Sequence, residues 1–331
     1  MKVLITGGNG YIGTHISLEL LKKNYDLSII DNFSNSKKIN LKKIKEISKK
    51  SFSSYNCDLK NYLQTYKILK KINPDVVIHL AGYKSVSESE KFKKKYHKNN
   101  VTGAKNLFKS MQQLEIKKII FSSSATIYGT PKYLPIDEKH PIKAVNYYGK
   151  NKIEIEKKLK EYSNKFDWSV ISLRYFNPVG AHSSNKVGDD PKFPENLMPN
   201  LCLSVKKKFS VNVYGNNYRT KDGSAIRDYI HIEDLANAHI KAINKLKKKQ
   251  FLEFNLGTGK GYSVFELLKT YEKVNKVKIK YEIKPRRKGD VPIMFSSCGK
   301  ANKYFKWRAF RTLSQMCKSA HKFYNNKNKR S

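Results

Sequence analysis

The stretch VNYYGKNK places Tyr148 four residues before Lys152, which is the spacing of one helical turn. If residues 146–163 form a helix, the two side chains share one face. A free tyrosine has a pKa of about 10, too high for a base at neutral pH. A lysine charge about 6 Å away, at an effective dielectric constant of about 20, would favour the phenolate by roughly 3 kcal/mol, or about two pKa units. The pair could therefore remove a proton from an alcohol.

Serines that could assist this proton transfer precede the pair in the stretch FSSSATIYG. Ser122, Ser123 and Ser124 end the apolar run 117–124, which predicts a buried strand. Ligands of open α/β sheets bind outside the carboxyl ends of the strands, so the Ser124 hydroxyl could share the path of the proton. Tyr147 has an asparagine one turn on and does not match. Because Tyr-x-x-x-Lys is frequent by chance in a lysine-rich chain, its chemical interpretation depends on the other motifs.

A glycine-rich turn occupies the stretch ITGGNGYIGTH. Gly8, Gly10 and Gly13 satisfy G-x-G-x-x-G, and Gly7 replaces Gly8 in the variant G-x-x-G-x-x-G. The turn follows the apolar run KVLIT and opens a segment with helical periodicity, which is the context of a dinucleotide-binding turn. Its glycines let the backbone approach a pyrophosphate, and the free N–H groups of the helix start favour an anion.

Two aspartates are candidates for the nucleoside end of such a ligand. Asp31 ends the predicted strand DLSIID, where a carboxylate accepts hydrogen bonds from ribose hydroxyls and repels the extra phosphate of NADP. The sequence therefore predicts NAD, with a tight turn and a capping aspartate as the alternative. Asp58, in NCDLKN, could hold the adenine edge or be a turn residue.

Strand and helix patterns alternate along the first half of the chain. The segments DVVIHLAG (75–82) and WSVISLRYF (168–176) add buried strands, and 99–113 predicts a helix. This alternation predicts an α/β fold with a Rossmann-type, doubly wound parallel sheet. After Phe176 the pattern loosens, because the stretch 177–199 is rich in Pro, Gly, Asn and Ser and predicts a loop. Shorter elements follow it, so we expect a smaller C-terminal α/β lobe. The predicted domains are 1–175 and 176–331, and some segments of the second can return to the first.

Length and composition limit the class of protein. The 331 residues suffice for one large domain or two joined ones, and 39% of them are hydrophobic. The four cysteines form no C-x-x-C pair, which argues against a zinc site and is typical of a reducing compartment. The start MKVLITGG lacks a signal-peptide pattern, and no apolar run approaches the about 18 residues that span a bilayer. We expect a cytoplasmic protein without a membrane partner and without a bound metal.

The formal net charge of +40 raises the possibility of a nucleic-acid partner. The lysines are spread over many runs, such as KFKKKYHK, KKK and KLKKK, rather than concentrated in one segment. We therefore predict a solvated basic surface and no specific nucleic acid. Functional binding of a polyanion is the alternative, and its mark would be an affinity that falls steeply with salt.

Together, TGGNGYIG, FSSSATIYG, YYGKNK and RYFNPVGAH resemble the extended short-chain dehydrogenase/reductases. The stretches NLMPNL, YGNNYRTKDGSAIRDYIHIEDLANAH, FNLGTGKGYSV, PRRKGDVP and WRAFRTLSQMC extend the similarity over nearly the whole chain, and they resemble the UDP-glucose 4-epimerase branch of that family. The RDYIH and NLMP segments are far more specific than the glycine turn.

The resemblance implies an isomerase that exchanges UDP-galactose with UDP-glucose through a 4-keto sugar, with NAD retained as a catalyst. Tyr148 would take the proton of the 4-hydroxyl group, Ser124 would assist, and Lys152 would hold the nicotinamide ribose and lower the tyrosine pKa. The oxidised nicotinamide would add its positive charge to that of the lysine. The resemblance also implies a homodimer formed through the helices near 99–113 and 148–163.

The resemblance further assigns contact residues. Besides Ser124, Tyr148 and Lys152, NAD would contact Gly7, Gly10, Tyr11, Ile12, Gly13, Asp31, Asn32, Asn35, Ser36, Asp58, Leu59, Leu80, Ala81, Gly82, Lys84, Asn99 and Phe176. The UDP-sugar would contact Ser124, Asn177, Asn196, Leu197, Tyr214, Arg227, Arg287, Asp290 and Met294. Met294 stands where relatives often have tyrosine, at a position that bounds the sugar pocket, and it predicts weak or absent activity on UDP-N-acetylglucosamine.

Two other functions remain open from the sequence. A nucleotide-sugar 4,6-dehydratase or decarboxylase relative also oxidises C4, but dehydratases typically have an acidic pair after the strand-end serine, where this chain has Ala125 and Thr126. A non-catalytic Rossmann protein that binds NAD or RNA is the alternative from another class.

Overall fold

The computed structural model describes residues 1–191, 193–287 and 289–326, which form two compact units. The first unit comprises Met1–Gly129, Ile142–Arg174 and Ala236–Phe254, and the second comprises Thr130–Pro141, Tyr175–Leu235 and Asn255–Ser331. The sequence places its domain boundary at residue 175, and the chain passes into the second unit after Arg174. The ligand-binding roles of the two predicted domains remain predictions.

The strands of the described residues are short and mostly buried. They are β1 (Lys2–Thr6), β2 (Asp26–Asp31), β3 (Ser53–Asn56), β4 (Val76–His79), β5 (Lys118–Ser124), β6 (Ser169–Tyr175), β7 (Asn177–Val179), β8 (Val211–Tyr214), β9 (Ile226–Arg227), β10 (Tyr229–His231), β11 (Gln250–Leu256), β12 (Tyr262–Ser263), β13 (Tyr281–Lys284) and β14 (Ile293–Met294).

The helices alternate with the strands. They are α1 (Tyr11–Lys22), α2 (Ile39–Ser48), α3 (Tyr62–Ile72), α4 (Val86–Lys91), α5 (Lys93–Tyr96), α6 (Gly103–Gln113), α7 (Tyr147–Phe166), α8 (Leu197–Lys207), α9 (Ile232–Ile243), α10 (Val264–Asn275), α11 (Gly299–Phe305) and α12 (Leu313–Asn326). A π-helix, His97–Thr102, leads into α6, and a 3₁₀ turn, Ala125–Ile127, follows β5. None of the helices in the described part of the chain is long and apolar enough to cross a membrane.

Seven strands form the sheet of the first unit, in the order β11-β6-β5-β4-β1-β2-β3. The pairs that join β3, β2, β1, β4 and β5 are parallel, and the helices between them confirm the predicted doubly wound sheet. The order reverses between β1 and β4, which makes that point the switch where ligands of such sheets bind. Since parallel strands end at one edge, Thr6, Asp31, His79 and Ser124 finish their strands on the same side.

Aromatic side chains fill the core between this sheet and its helices. Phe108 on α6 is fully buried, and its ring centroid lies about 6 Å from those of Trp168, Tyr162 and His79 (6.1, 6.0 and 6.0 Å). The predicted helix 99–113 is present, but its first turns belong to the π-helix. Single-turn π segments occur often at functional sites, and this one contains Asn99.

The second unit is built from small sheets and its own apolar core. Strands β10 and β7 pair in parallel, as do β13 and β8, and β12, β9 and β14 form the third sheet. The sequence predicts a loop from 177 to 199, but β7 begins at Asn177 and α8 begins at Leu197. Strand β7 has no local signal because its partner, Tyr229–His231, lies far along the chain.

Candidate active site

The glycine turn joins β1 to α1 at the switch point of the sheet. Gly7 has a φ of +72°, and a Cβ atom there would lie 2.8 Å from the Ala81 amide nitrogen. A Cβ atom on Gly13 would lie 2.5 Å from the Gly7 carbonyl oxygen. Helix α1 starts after Gly10, which offers no capping side chain. The bare backbone and uncapped helix start fit the pyrophosphate of a dinucleotide.

Asp31 is buried at the end of β2 and anchors the loop that follows. Its carboxylate accepts hydrogen bonds from the backbone N–H groups of Asn9 (3.0 Å) and Phe33 (2.9 Å) and from the Ser36 hydroxyl (3.0 Å). Burial raises the pKa of this carboxyl, although these bonds oppose the effect. The position fits the predicted ribose contact, which remains a prediction.

Asn9 belongs to this region, and sequence reasoning missed it. Its amide nitrogen donates to the Ser36 hydroxyl (3.0 Å) and the Lys37 carbonyl (2.9 Å), so it fastens the glycine turn to the loop after β2. It is fully buried, and its Oδ1 atom has no hydrogen-bond partner among the described residues. The tripeptide GNG gives no sign of this cross-link, because the partner loop is brought in by the pairing of β1 with β2.

Asp58 follows β3 and receives bonds from its neighbours. It accepts from the Lys60 backbone (2.9 Å) and the Asn32 amide (3.2 Å). Burial opposes its ionisation, but the bonds from Lys60 and Asn32 outweigh burial and lower its pKa. The two interpretations of Asp58, adenine contact and turn residue, both remain open.

The other predicted cofactor residues are spread along the same edge of the sheet. Tyr11 and Ile12 lie in the first turn of α1, and Asn35 lies in the loop after β2. The residues that follow β3 and β4 or lie in the π-helix are Leu59, Leu80, Ala81, Gly82, Lys84 and Asn99. Phe176 follows β6 and belongs to the second unit, where its N–H group donates to the Leu256 carbonyl (3.1 Å).

Ser124 ends β5, and its hydroxyl hydrogen-bonds to Tyr148. The Ser124 oxygen also accepts bonds from the backbone N–H (3.2 Å) and hydroxyl (3.0 Å) of Thr126. Because both Thr126 groups donate, the Ser124 proton is free to point toward the tyrosine oxygen. Thr126 was not predicted as a site residue, and its role as an orienting donor depends on the 3₁₀ turn.

The expected depression of the Tyr148 pKa is wrong for this structure. Part of the tyrosine ring is exposed, but its hydroxyl lies in buried surroundings. Burial raises the pKa of Tyr148 to about 12, and the hydrogen bond to Ser124 lowers it by less. Sequence reasoning weighed the lysine charge and omitted desolvation, which penalises a phenolate more strongly here.

The side chain of Lys152 is buried, which is unusual for a lysine. Its ammonium group donates to the Ser122 carbonyl (2.5 Å) and lies 4.8 Å from the centroid of Phe121 and 5.6 Å from that of Tyr148. Tyr148 and Lys152 both lie in α7, as their spacing predicts. Burial lowers the pKa of Lys152 to about 8, while the charge of Glu156 acts in the opposite direction.

Short helix α4 and one asparagine satisfy the first amides of α7. The N–H groups of Tyr147, Tyr148 and Gly149 donate to Glu90 (2.5 Å), to the Ser89 hydroxyl (3.1 Å) and to the Asn146 side chain (2.8 Å). Ser89 is fully buried and donates its own proton to the Val86 carbonyl (2.7 Å). These contacts hold the start of α7, and hence the Tyr148 backbone, in place.

Within the second unit, several of the predicted nucleotide residues come together. Arg227 forms an ion pair with Asp290, and Met294 is its partner in the parallel pairing of β14 with β9. The guanidinium of Arg287 lies 3.8 Å from the ring centroid of Tyr214, and it lowers the pKa of that tyrosine. Cations of this kind suit the oxygens of a diphosphate.

The remaining predicted residues of this set are Asn177, at the start of β7, and Asn196 and Leu197, at the start of α8. Sequence reasoning missed Tyr218. Tyr218 is 6% exposed, and its hydroxyl has no hydrogen-bond partner among the described residues. The charges of Asp290 and Arg227 act on this hydroxyl electrostatically. The guanidinium of Arg286 lies 4.2 Å from its ring centroid.

Comparisons with known proteins all identify the same family of enzymes. Residues 3–257 match the model of the NAD dependent epimerase/dehydratase family. A relative from Bacillus subtilis named UDP-glucose 4-epimerase is 43% identical over 321 residues, covering 96% of this chain and 95% of the relative. One of the same name from Dictyostelium discoideum is 41% identical and covers 97% and 95%. The structure of UDP-glucose 4-epimerase from Bifidobacterium longum in complex with NAD+ and UDP superposes with a TM-score of 0.96, at 41% identity and 99% coverage of both chains.

The buried ammonium of Lys152 predicts a specific dependence of stability on pH. Its pKa is about 8 in the folded protein and 10.5 ordinarily, so between these values the unfolded chain binds the proton and the folded chain does not. Unfolding free energy should therefore rise with pH over this window, by up to about 3 kcal/mol from this residue. Lys152→Met should remove that rise in denaturant titrations from pH 8 to pH 10.5. Lys150→Met, at an exposed position of α7, should retain it, and equal slopes in both variants would contradict the assignment.

Proposed function

This chain belongs to the NAD dependent epimerase/dehydratase family, and on that premise we propose that it interconverts UDP-galactose and UDP-glucose with tightly bound NAD. The observation that carries the proposal is the Ser124–Tyr148–Lys152 constellation at the carboxyl edge of the sheet. The strand-end serine, the phenol and the ammonium group form one connected set at the sheet edge that also carries the glycine turn, as a hydroxyl-oxidising site requires.

The residues of this chain divide the work of the reaction. The oxygen of Tyr148 takes the proton of the sugar 4-hydroxyl and later returns it, with the Ser124 hydroxyl hydrogen-bonded to it. Lys152 keeps a positive charge 5.6 Å from the tyrosine ring, which favours the phenolate. NAD, when bound, supplies a reversible acceptor for the C4 hydride and the positive charge of its oxidised ring. That added charge would lower the pKa of Tyr148, which burial raises.

The sugar and the nucleotide of the substrate must be bound with different strength. Epimerisation at C4 requires the keto sugar to turn, so the hexose must be held loosely and the binding free energy must come from UDP. Arg227 and Arg287 suit the diphosphate, and Asp290 holds Arg227 in place. Tyr214 stacks on Arg287 and is proposed to lie near the uracil. NAD is proposed to bind the residues predicted for it on the glycine turn and the adjoining strand ends.

The dehydratase alternative lacks its acid and base here. The residues after Ser124 are Ala125 and Thr126, and Thr126 donates to Ser124 rather than accepting a proton. Elimination of water would change the mass of the product, whereas epimerisation leaves it unchanged.

We also propose the cytoplasm as the location, because Cys57, Cys202, Cys298 and Cys317 are all free thiols.

The central prediction is that the purified protein converts UDP-galactose into UDP-glucose and that Tyr148→Phe lowers kcat by about 10²-fold or more. The variant should still carry NAD, since the phenol ring remains and the glycine turn is untouched. Product formation measured by coupled oxidation of UDP-glucose, together with NAD released on denaturation, tests both statements. Tyr147→Phe is the matched control and should keep normal turnover. Near-normal activity of Tyr148→Phe would remove Tyr148 from this role.

Met294 predicts a preference between sugars. It pairs with Arg227 and is long but flexible, so an N-acetyl group should be accommodated poorly. We expect kcat/KM for UDP-N-acetylglucosamine to be lower than for UDP-glucose by about tenfold or more. Met294→Gly should narrow the difference, whereas Met294→Leu, of similar volume, should keep it. Comparable turnover of both sugars by the wild-type protein would refute the prediction.

We further propose a homodimer in which α6 and α7 of one copy pack against the same helices of the other. Helix α6 and helix α7 lie side by side, and a four-helix contact is a common solution for two such helices. Sedimentation equilibrium should give twice the 38.3 kDa of one chain. A mass of one chain at micromolar concentration would exclude the dimer.

A further inference from the structure

Three buried charged groups follow the proposed base along α7 and β6. Lys152 and Glu156 are each 5% exposed, and Arg174 is 2% exposed. Glu156 stands one turn after Lys152, as Lys152 stands one turn after Tyr148, so the three α7 side chains share one face of the helix. Neither Glu156 nor Arg174 has a part in the function proposed so far.

The carboxylate of Glu156 is fully engaged by donors on β6. It accepts bonds from the Arg174 Nε atom (3.1 Å), from its Nη2 atom (2.9 Å) and from the Ser172 hydroxyl (2.7 Å). Arg174 is fixed in turn, because its Nη1 atom donates to the Tyr128 hydroxyl (3.0 Å). A bidentate arginine with a third donor compensates the cost of burying a carboxylate.

The ammonium group of Lys152 faces few charges. From its own helix it faces Tyr148 and Glu156, and from β5 it faces the Ser122 carbonyl and the Phe121 ring. From β4 it faces His79, whose pKa burial and the lysine charge lower to about 3, so that imidazole is neutral. Among the described residues, the carboxylate that acts on Lys152 is therefore that of Glu156, while Arg174 is bonded to Glu156 from β6.

We propose that Glu156 is a positioning residue that keeps Lys152 protonated and in register with Tyr148, and that Arg174 and Ser172 hold its carboxylate in place for that purpose. The inference rests on the function proposed above. Burial drives the lysine toward its neutral form, and a neutral lysine gives no help to a phenolate. A carboxylate one turn away is the compensation that the helix provides. Its own desolvation is offset by Arg174, whose charge would otherwise be unpaired.

A direct test measures the protonation of Lys152 without any substrate. The 13Cε chemical shift of Lys152 in NAD-loaded protein labelled with 13C-lysine, followed by NMR from pH 6 to 11 and assigned by its absence in Lys152→Met, gives the pH at which this amine loses its proton. Glu156→Gln should lower that midpoint by about one pH unit or more, because the negative charge of Glu156, which favours the protonated lysine, is lost. Glu161→Gln makes the same chemical change at a half-exposed position of α7 and should leave the midpoint unchanged.

The alkaline limb of kcat/KM for UDP-galactose should move by the same amount. Above both midpoints, Glu156→Gln should retain about one tenth of the wild-type kcat/KM, and the deficit should shrink toward pH 6, where Lys152 is protonated in both proteins. Glu161→Gln should follow the wild-type profile. A purely structural role for Glu156 predicts a loss of stability or a uniform loss of activity, without movement of the limb.

A second variant keeps the test decisive if Glu156→Gln leaves Arg174 unpaired and the protein does not fold. Glu156→Gln combined with Arg174→Gln replaces both buried charges by neutral amides of similar shape. The lowered midpoint should persist in this double variant, since the carboxylate is still missing. A wild-type midpoint in either variant would overturn the inference. Absence of epimerisation by the wild-type protein would instead refute the proposed function, and the midpoints measured by NMR would still report on Glu156.

Discussion

The structure of this site depends on one constraint, which is that an ammonium group must remain charged in a place from which water is largely excluded. Lys152 meets that constraint with the Ser122 carbonyl, two aromatic ring faces and a carboxylate one turn along its helix. These partners come from β5 and from two different turns of α7. The ammonium group thus fixes how α7 must lie on the strand ends.

Helix α7 is held at its start and near its middle. Its first amides are satisfied by Glu90, Ser89 and Asn146, and further along the helix Glu156 is bonded to Arg174 and Ser172 on β6. Between these two attachments lie Tyr148 and Lys152. A side chain that must meet a hydroxyl group within a hydrogen-bond length tolerates little movement of its helix, so capping and the buried ion pair serve the chemistry as well as stability.

Charge is used differently in the two units. In the first, burial of the phenol and of the ammonium group dominates, and it moves both pKa values toward the neutral forms. In the second, Arg227 and Arg287 lie near Asp290 and Tyr214 and are partly open to solvent. The many surface lysines add to the net charge of +40, but they belong neither to the buried Lys152 site nor to the arginine contacts of the second unit.

The sequence by itself determined the doubly wound sheet, since alternating apolar strands and helices with a glycine turn have few other solutions, and the spacing of Tyr148 and Lys152 set their separation. Tertiary structure decided four other features. The Asn9 cross-link, strand β7 and the Glu156–Arg174 pair each join groups that are far apart in the chain. The hydrogen bonds that Thr126 donates depend on the geometry of the 3₁₀ turn. The direction of the Tyr148 pKa was also decided there. Coulomb attraction between neighbours follows from helical spacing, whereas desolvation depends on everything packed around the hydroxyl, which no local pattern contains.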